Sequence, residues 1–165
     1  MRDAMERFRG QGATEYLVLL AVVLIVALVS VALLGFFPGM ASDTKMTQSD
    51  AYWKGVARPF AIIDYSINAT NMTNVTTGGA TLTLENKEAG GQYTITNITI
   101  GTVSSNLTTA VKFAPGEIKN IVIATGFGTN TVGATYEYNV TIFYNSPTIN
   151  GAKQYGSKNL VSKYV

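Results

Sequence analysis

The sequence predicts an α+β protein in which one long N-terminal hydrophobic helix precedes an antiparallel β domain. Residues 16–37 carry no charge and form a continuous apolar run. From residue 60 onward the chain is rich in Thr, Asn, Ile, Val and Tyr, and glycine-rich breaks separate short runs of these residues. The first pattern is typical of a helix that lipid or protein surrounds, and the second of an antiparallel β-sandwich or small barrel.

The apolar run is long enough to cross a bilayer, since a spanning helix needs roughly 20 residues. Its leucines, valines and alanines leave no polar side on the helix, so the helix needs apolar surroundings on every side. Gly35 and Pro38-Gly39 follow, and a proline inside a helix removes one backbone hydrogen bond and usually bends it. We therefore predict a helix over residues 11–57 with a kink near Pro38.

The part of the helix after the kink is predicted to be amphipathic. Ser42 and Asp43 are residue types that cap helix N-termini, so we expect the helix to resume there. Apolar residues then recur near helical spacing, and we interpret them as a stripe that packs on the β domain. The stripe consists of Met46, Trp53, Val56 and Phe60. Arg58-Pro59 should end the helix, because the residue before a proline disfavours helical geometry.

Six segments of the remaining chain, residues 60–165, are predicted to be strands. They cover residues 60–67, 80–86, 92–100, 117–125, 135–145 and 158–164. The alternation is clearest in residues 135–145, where one face would carry Tyr136, Tyr138, Val140, Ile142 and Tyr144. In residues 92–100 the apolar positions change parity, which predicts a β-bulge near Thr96.

Composition excludes several classes of function. The chain has no Cys and no His, so thiolate and imidazole chemistry are absent, both as metal ligands and as catalytic groups. The acidic residues are scattered without the spacing of a calcium loop. A net charge of +2 is no strong electrostatic bias, which disfavours a nucleic-acid partner. We therefore expect no enzyme activity, no metal, no cofactor and no nucleic-acid partner.

A short charged leader, residues 1–10, precedes the apolar run. Its three arginines favour a cytoplasmic N-terminus, which would place everything after the helix outside the membrane. An ordinary secretory signal has a shorter apolar stretch, with its cleavage site after that stretch. Here the plausible cleavage site lies before the apolar run, between Gly10 and Gln11.

This junction resembles the class III signal peptide of archaeal type IV pilins, whose leader ends in Gly before a Gln-x-(Ser/Thr)-x-Glu-like pattern. The corresponding residues are Gly10, Gln11, Ala13, Thr14 and Glu15, and the hydroxyl residue stands one position later than in the commonest form. The resemblance covers about the first 40 residues. The absence of Cys also agrees better with archaeal pilins than with bacterial ones, which usually carry a disulfide-closed C-terminal loop.

The resemblance implies a pilin-like fold and the major structural subunit of a cell-surface filament used in adhesion. A prepilin peptidase would remove residues 1–10 from a membrane-inserted precursor whose N-terminus is cytoplasmic. An assembly platform in the membrane, with its ATPase, would then pack copies of the helix into a homopolymer. Residues 11–57 would form the filament core, and residues 60–165 would form the extracellular domain.

Glu15 has two interpretations. It can be an interfacial carboxylate that the positive end of the helix dipole favours. By the resemblance, it would instead neutralise the new ammonium group of Gln11 on a neighbouring subunit and so set the axial register of assembly.

The β domain contains six Asn-x-Thr sequons, which are acceptors for an oligosaccharide transferase when the domain is exported. They are Asn68, Asn71, Asn74, Asn97, Asn106 and Asn139. Asn97 and Asn139 fall on the polar parity of their predicted strands, where a glycan could stay in solvent.

The first alternative is a single-span surface protein that never polymerises, or a minor pilin-like component of a secretion or uptake apparatus. The second alternative is an exported hydrolase that uses Ser, Lys or carboxylates, but the sequence supplies no activated nucleophile with its base.

Overall fold

The computed structural model describes residues 2–69, 78–105, 107–124 and 126–165, and for residues 2–11 and 36–39 the description is of the backbone alone. One long helix is followed by antiparallel β-sheets, which confirms the predicted α+β class. The chain divides into two compact units, Met1–Asp43 and Thr44–Val165. Sequon residues Asn71, Asn74 and Asn106 lie outside the described residues.

Helix α1, Arg2–Ala51, is continuous in its secondary structure. Ser42 and Asp43 lie inside it, so the predicted N-cap is wrong. A cap residue needs a non-helical backbone, and the chain is already helical before residue 42. The kink near Pro38 stays a prediction.

A π-helical turn, Tyr52–Val56, closes the helix. The N–H of Ala57 donates to the carbonyl oxygen of Tyr52 at 2.9 Å, and the helix ends before Arg58-Pro59 as predicted. Trp53 and Ala57 are buried, but Val56 is 67% exposed, so its place in the predicted stripe is wrong. A π-helix has more residues per turn than an α-helix, which puts Ala57 rather than Val56 above Trp53.

The other members of the stripe divide between helix and sheet. Met46 is half-buried on α1, while Phe60 is fully buried as the first residue of a strand. Ser49 is 1% exposed and occupies the helical position between Met46 and Trp53.

The described part of the second unit contains ten strands. They are β1 Phe60–Ile67, β2 Ala80–Asn86, β3 Tyr93–Ile100, β4 Val103–Ser104, β5 Val111–Phe113, β6 Ile118–Ile123, β7 Thr135–Tyr138, β8 Val140–Asn145, β9 Ala152–Tyr155 and β10 Leu160–Lys163. All of their pairings are antiparallel. One sheet has the order β1-β2-β6, a second has β4-β3-β8-β9 with β5 also paired to β3, and a third consists of β10 and β7.

Five of the six predicted strand segments correspond to single strands, β1, β2, β3, β6 and β10. The sixth, residues 135–145, is wrong as one strand, because the chain leaves β7 at Asn139 and enters β8 in another sheet. The predicted alternation persists across this break, with Tyr136, Val140 and Ile142 buried and Glu137 exposed. The bulge is confirmed by the shift in register between Ile95 and Asn97 where β3 pairs with β8.

The sheets enclose one hydrophobic core. Phe60 lies at the centre of an aromatic group, and its ring centroid is 5.4 Å from Phe113, 5.7 Å from Tyr144 and 6.2 Å from Tyr93. The centroid distances and steep interplanar angles are those of favourable edge-to-face contacts. The core therefore joins β1 with β3, β5 and β8, which belong to a different sheet.

Candidate functional site: the apolar helix and its junction

The surface of α1 is the main candidate for a functional surface. Large apolar side chains point outward from every side of its first unit, among them Leu17 at 60%, Leu28 at 70% and Leu34 at 71% exposure. Over the described residues, the segment Gly12–Val56 is long and apolar enough to cross a membrane by length and composition, with mean hydropathy 3.4 in its most apolar window. Such a surface is stable only against lipid or other apolar protein.

The predicted cleavage junction lies in the same helix. Gly10 and Gln11 have helical backbone. Glu15 is exposed on α1, four residues after Gln11. An exposed carboxylate at this position can meet a cation on another molecule.

The last turns of α1 hold the helix end on two strands of the β domain. Ser49 Oγ accepts a hydrogen bond from the N–H of Val161 in β10 at 3.0 Å. The Tyr65 hydroxyl in β1 lies 2.7 Å from Asp50 Oδ1 and 2.9 Å from the carbonyl oxygen of Val161. Burial, and then the hydrogen bond with Asp50, raise the pKa of Tyr65 well above its usual range, so this hydroxyl keeps its proton.

Next to this contact, a cavity of about 190 Å³ opens between the helix end and β7 and β10. Lys45 Nζ and Glu137 Oε2 form an ion pair at 2.8 Å across it, and Asn159 Nδ2 donates to Glu137 Oε1 at 3.0 Å. The hydrogen bond from Lys45 lowers the pKa of Glu137. The described residues hold no group of three His, Cys, Asp or Glu that could bind a metal ion. The cavity wall therefore carries one ion pair and a second lysine, Lys158.

The described sequons differ in exposure. Asn139 is exposed at the break between β7 and β8, whereas Asn68 and Asn97 are half-buried.

The sequence reasoning missed Ser49 and Tyr65 as residues that hold the helix end. Ser49 lies four positions before Trp53, so helical spacing from Trp53 was the available signal for Ser49, although its polar side chain hid it. Nothing local in β1 distinguishes Tyr65, since its acceptors lie 15 and 96 residues away in the chain.

The fold and this surface define the class of the protein as a β domain carried on one membrane-competent N-terminal helix. No protein-family model matches the chain, and no curated protein is significantly similar to it.

Proposed function

We propose that the chain is the major structural subunit of an archaeal type IV pilus-like filament on the cell surface, used in adhesion. The observation that carries the proposal is the helix that presents apolar side chains on all sides beside a β domain with its own buried core. The large apolar side chains described between Tyr16 and Leu34 are exposed, so the helix would need lipid in the precursor and copies of itself afterwards.

Assembly would exchange one apolar environment for another. A prepilin peptidase would cut between Gly10 and Gln11, and the assembly platform and its ATPase would draw the helix out of the membrane into a bundle. Close packing between helices replaces the lipid contacts, so the transfer costs little free energy. The helical residues 11–51 would extend about 60 Å at about 1.5 Å per residue, which gives each subunit a long reach along the filament.

Glu15 would set the register of this bundle. A carboxylate at the centre of a bilayer costs about 2.5–3.5 kcal/mol, and one near the edge costs less. Pairing with the ammonium group of Gln11 on a neighbouring subunit would remove that cost, so the assembled state would be favoured. Glu15→Ala should abolish or strongly reduce the filament yield, while Glu15→Asp, which keeps the charge, should retain part of it. Equal yields from the two variants and the unchanged chain would exclude the register role.

The decisive experiment is mass spectrometry of the N-terminal peptide from filaments sheared off cells, beside the same peptide from the membrane fraction. We expect the sheared material to begin at Gln11. Protein that stays in the membrane and begins at Met1 would overturn the proposal in favour of an anchored, non-polymerising surface protein. Processed protein that is absent from filaments would point to a minor component of a secretion or uptake apparatus.

A structural role rather than catalysis is part of the proposal. It is supported by a composition without Cys or His. Hydrolysis of peptides or glycans by the purified chain, lost on substitution of a Ser, Lys or acidic residue, would contradict it.

A further inference from the structure

Two sequons of the sheet β4-β3-β8-β9 use their asparagines in different ways. Asn97 lies on β3 at the bulge, and its sequon continues to Thr99. Asn139 lies at the break before β8, and its sequon continues to Thr141. The two sequons are neighbours in the sheet, because Thr99 pairs with Thr141.

The carboxamide of Asn97 is occupied by hydrogen bonds. Its Nδ2 donates to Ser104 Oγ at 2.8 Å. Its Oδ1 accepts from Ser105 Oγ and from the N–H of Ile98, each at 2.8 Å. Ser105 N–H in turn donates to the Ile98 carbonyl oxygen at 2.7 Å. The Asn97 side chain thus ties the bulge in β3 to β4 and the residue that follows it.

Asn139 makes a different contribution. Its backbone carbonyl oxygen accepts from the N–H of Gly101 at 2.8 Å, which fixes the chain, while its side chain is exposed. Thr141, the hydroxyl residue of the sequon, pairs in register with Tyr155 of β9, and Tyr155 is 66% exposed. The first residue of this sequon is therefore exposed, and the third, Thr141, is half-buried beside an exposed residue.

The chemistry of N-linked modification needs the open arrangement. Asn Nδ2 attacks the anomeric carbon of a sugar whose leaving group is a lipid-linked phosphate, the C–O bond to the phosphate breaks, and one amide proton is lost to the departing phosphate or solvent. The new C–N bond places a bulky sugar on Nδ2, which must therefore face solvent. At Asn97 the Nδ2 atom instead donates a hydrogen bond to Ser104 Oγ.

We propose that the folded domain directs N-linked glycosylation to Asn139 and withholds it from Asn97, whose carboxamide is instead a structural link between β3 and β4. The proposal rests on the proposed export of the domain. It goes further because it assigns different roles, glycan acceptor and structural link, to two asparagines that lie in the same Asn-x-Thr pattern.

The direct test compares the folded chain with its own peptides. An oligosaccharide transferase is chosen that glycosylates two synthetic peptides, residues 92–105 and 134–146, in the presence of a lipid-linked sugar donor. The full chain, folded in detergent, is treated in the same way and its glycopeptides are quantified. We expect Asn139 to be modified in the chain and Asn97 to be modified at least tenfold less. Comparable modification of Asn97, or an unmodified Asn139, would overturn the proposal.

A second test reads the structural role of Asn97 without any transferase. Asn97→Gln moves the carboxamide by one methylene and should lower the thermal unfolding midpoint by about 4 °C or more. Asn139→Gln is the matched control and should leave the midpoint unchanged. Equal midpoints for both variants would contradict the role of Asn97. Neither test depends on polymerisation, whereas the N-terminal peptide of sheared filaments tests the filament proposal separately.

Discussion

Trp53 shows how closely single residues are fitted in this domain. Its indole is fully buried, its ring centroid lies 5.1 Å from that of Tyr52, and the Tyr52 hydroxyl accepts a hydrogen bond from the N–H of Ser157 at 3.0 Å. Gly156 lies directly against the indole. A Cβ at Gly156 would overlap Trp53 Cζ2 and would stand 2.6 Å from Cη2. Only a residue without a side chain leaves room for Trp53 there.

Gly156→Ala should therefore destabilise the domain, because the methyl group forces the indole or the backbone to move. Overpacking of this kind costs about 1–3 kcal/mol. Gly90→Ala is the matched control, since a Cβ there meets no atom within 4 Å. Denaturant unfolding of the full chain in detergent, followed by fluorescence of the single tryptophan, measures both variants. An unchanged midpoint for Gly156→Ala would refute the close fit.

At the scale of elements, the contact of the helix end with β1 and β10 depends on a few polar groups. The buried hydroxyl of Ser49 bonds the backbone of Val161, and the hydroxyl of Tyr65 lies within hydrogen-bonding distance of both Asp50 and Val161. Asp50 also accepts a hydrogen bond from Lys54 at 2.9 Å. If one group of such a network is removed, its buried partner is left without a hydrogen bond. The free-energy cost of that unsatisfied partner exceeds the net contribution of an average hydrogen bond.

Tyr65→Phe should lower the free energy of unfolding by about 1–2 kcal/mol, since it deletes the donor to Asp50 and Val161 and keeps the ring. Tyr155→Phe removes a hydroxyl from an exposed ring and should be nearly neutral. The same fluorescence measurement compares the two. If Tyr155→Phe were as destabilising as Tyr65→Phe, the effect would not come from this network.

At the scale of the whole molecule, several tyrosines couple the stability of the β domain to alkaline pH. The hydroxyl oxygens of Tyr138 and Tyr164 are 2.6 Å apart. Burial, and then the bond with Tyr138, raise the pKa of Tyr164 to about 12. Burial likewise raises the pKa values of Tyr65, Tyr136 and Tyr144. In the unfolded chain these groups ionise near pH 10.

The raised pKa values determine whether the free energy of unfolding rises or falls with pH. Above about pH 10 the unfolded state binds fewer protons than the folded state, so the free energy of unfolding falls as pH rises. Stability from Tyr164 should be complete below about pH 10 and should be lost as pH rises toward 12. Tyr164→Phe should make the decline above pH 10 less steep than it is in the unchanged chain. Denaturant midpoints of both proteins at pH 8, 10 and 11 test this, and identical slopes would contradict it.

The sequence by itself determined the features that depend on local pattern. The uncharged run specified a long helix, Arg58-Pro59 specified its end, and the change of composition with the flanking breaks specified β1 and β2 with their observed bounds. The parity change near Thr96 specified the bulge. These features follow from side-chain periodicity and backbone sterics, which nearby residues set. The sequons were equally readable because they are short linear patterns, and the leader junction stays a prediction.

Only the tertiary structure decided what depends on partners distant in the chain. The division of residues 135–145 at Asn139 arises because β7 pairs with β10 while β8 pairs with β3 and β9. The short strands β4, β5 and β9 are held by pairing rather than by their own pattern. Asn97 and Asn139 read alike in sequence, yet Ser104 and Ser105 occupy the carboxamide of one while the other is exposed. Periodicity tells which side of a strand a residue is on, but hydrogen bonds formed across the fold decide what that residue does there.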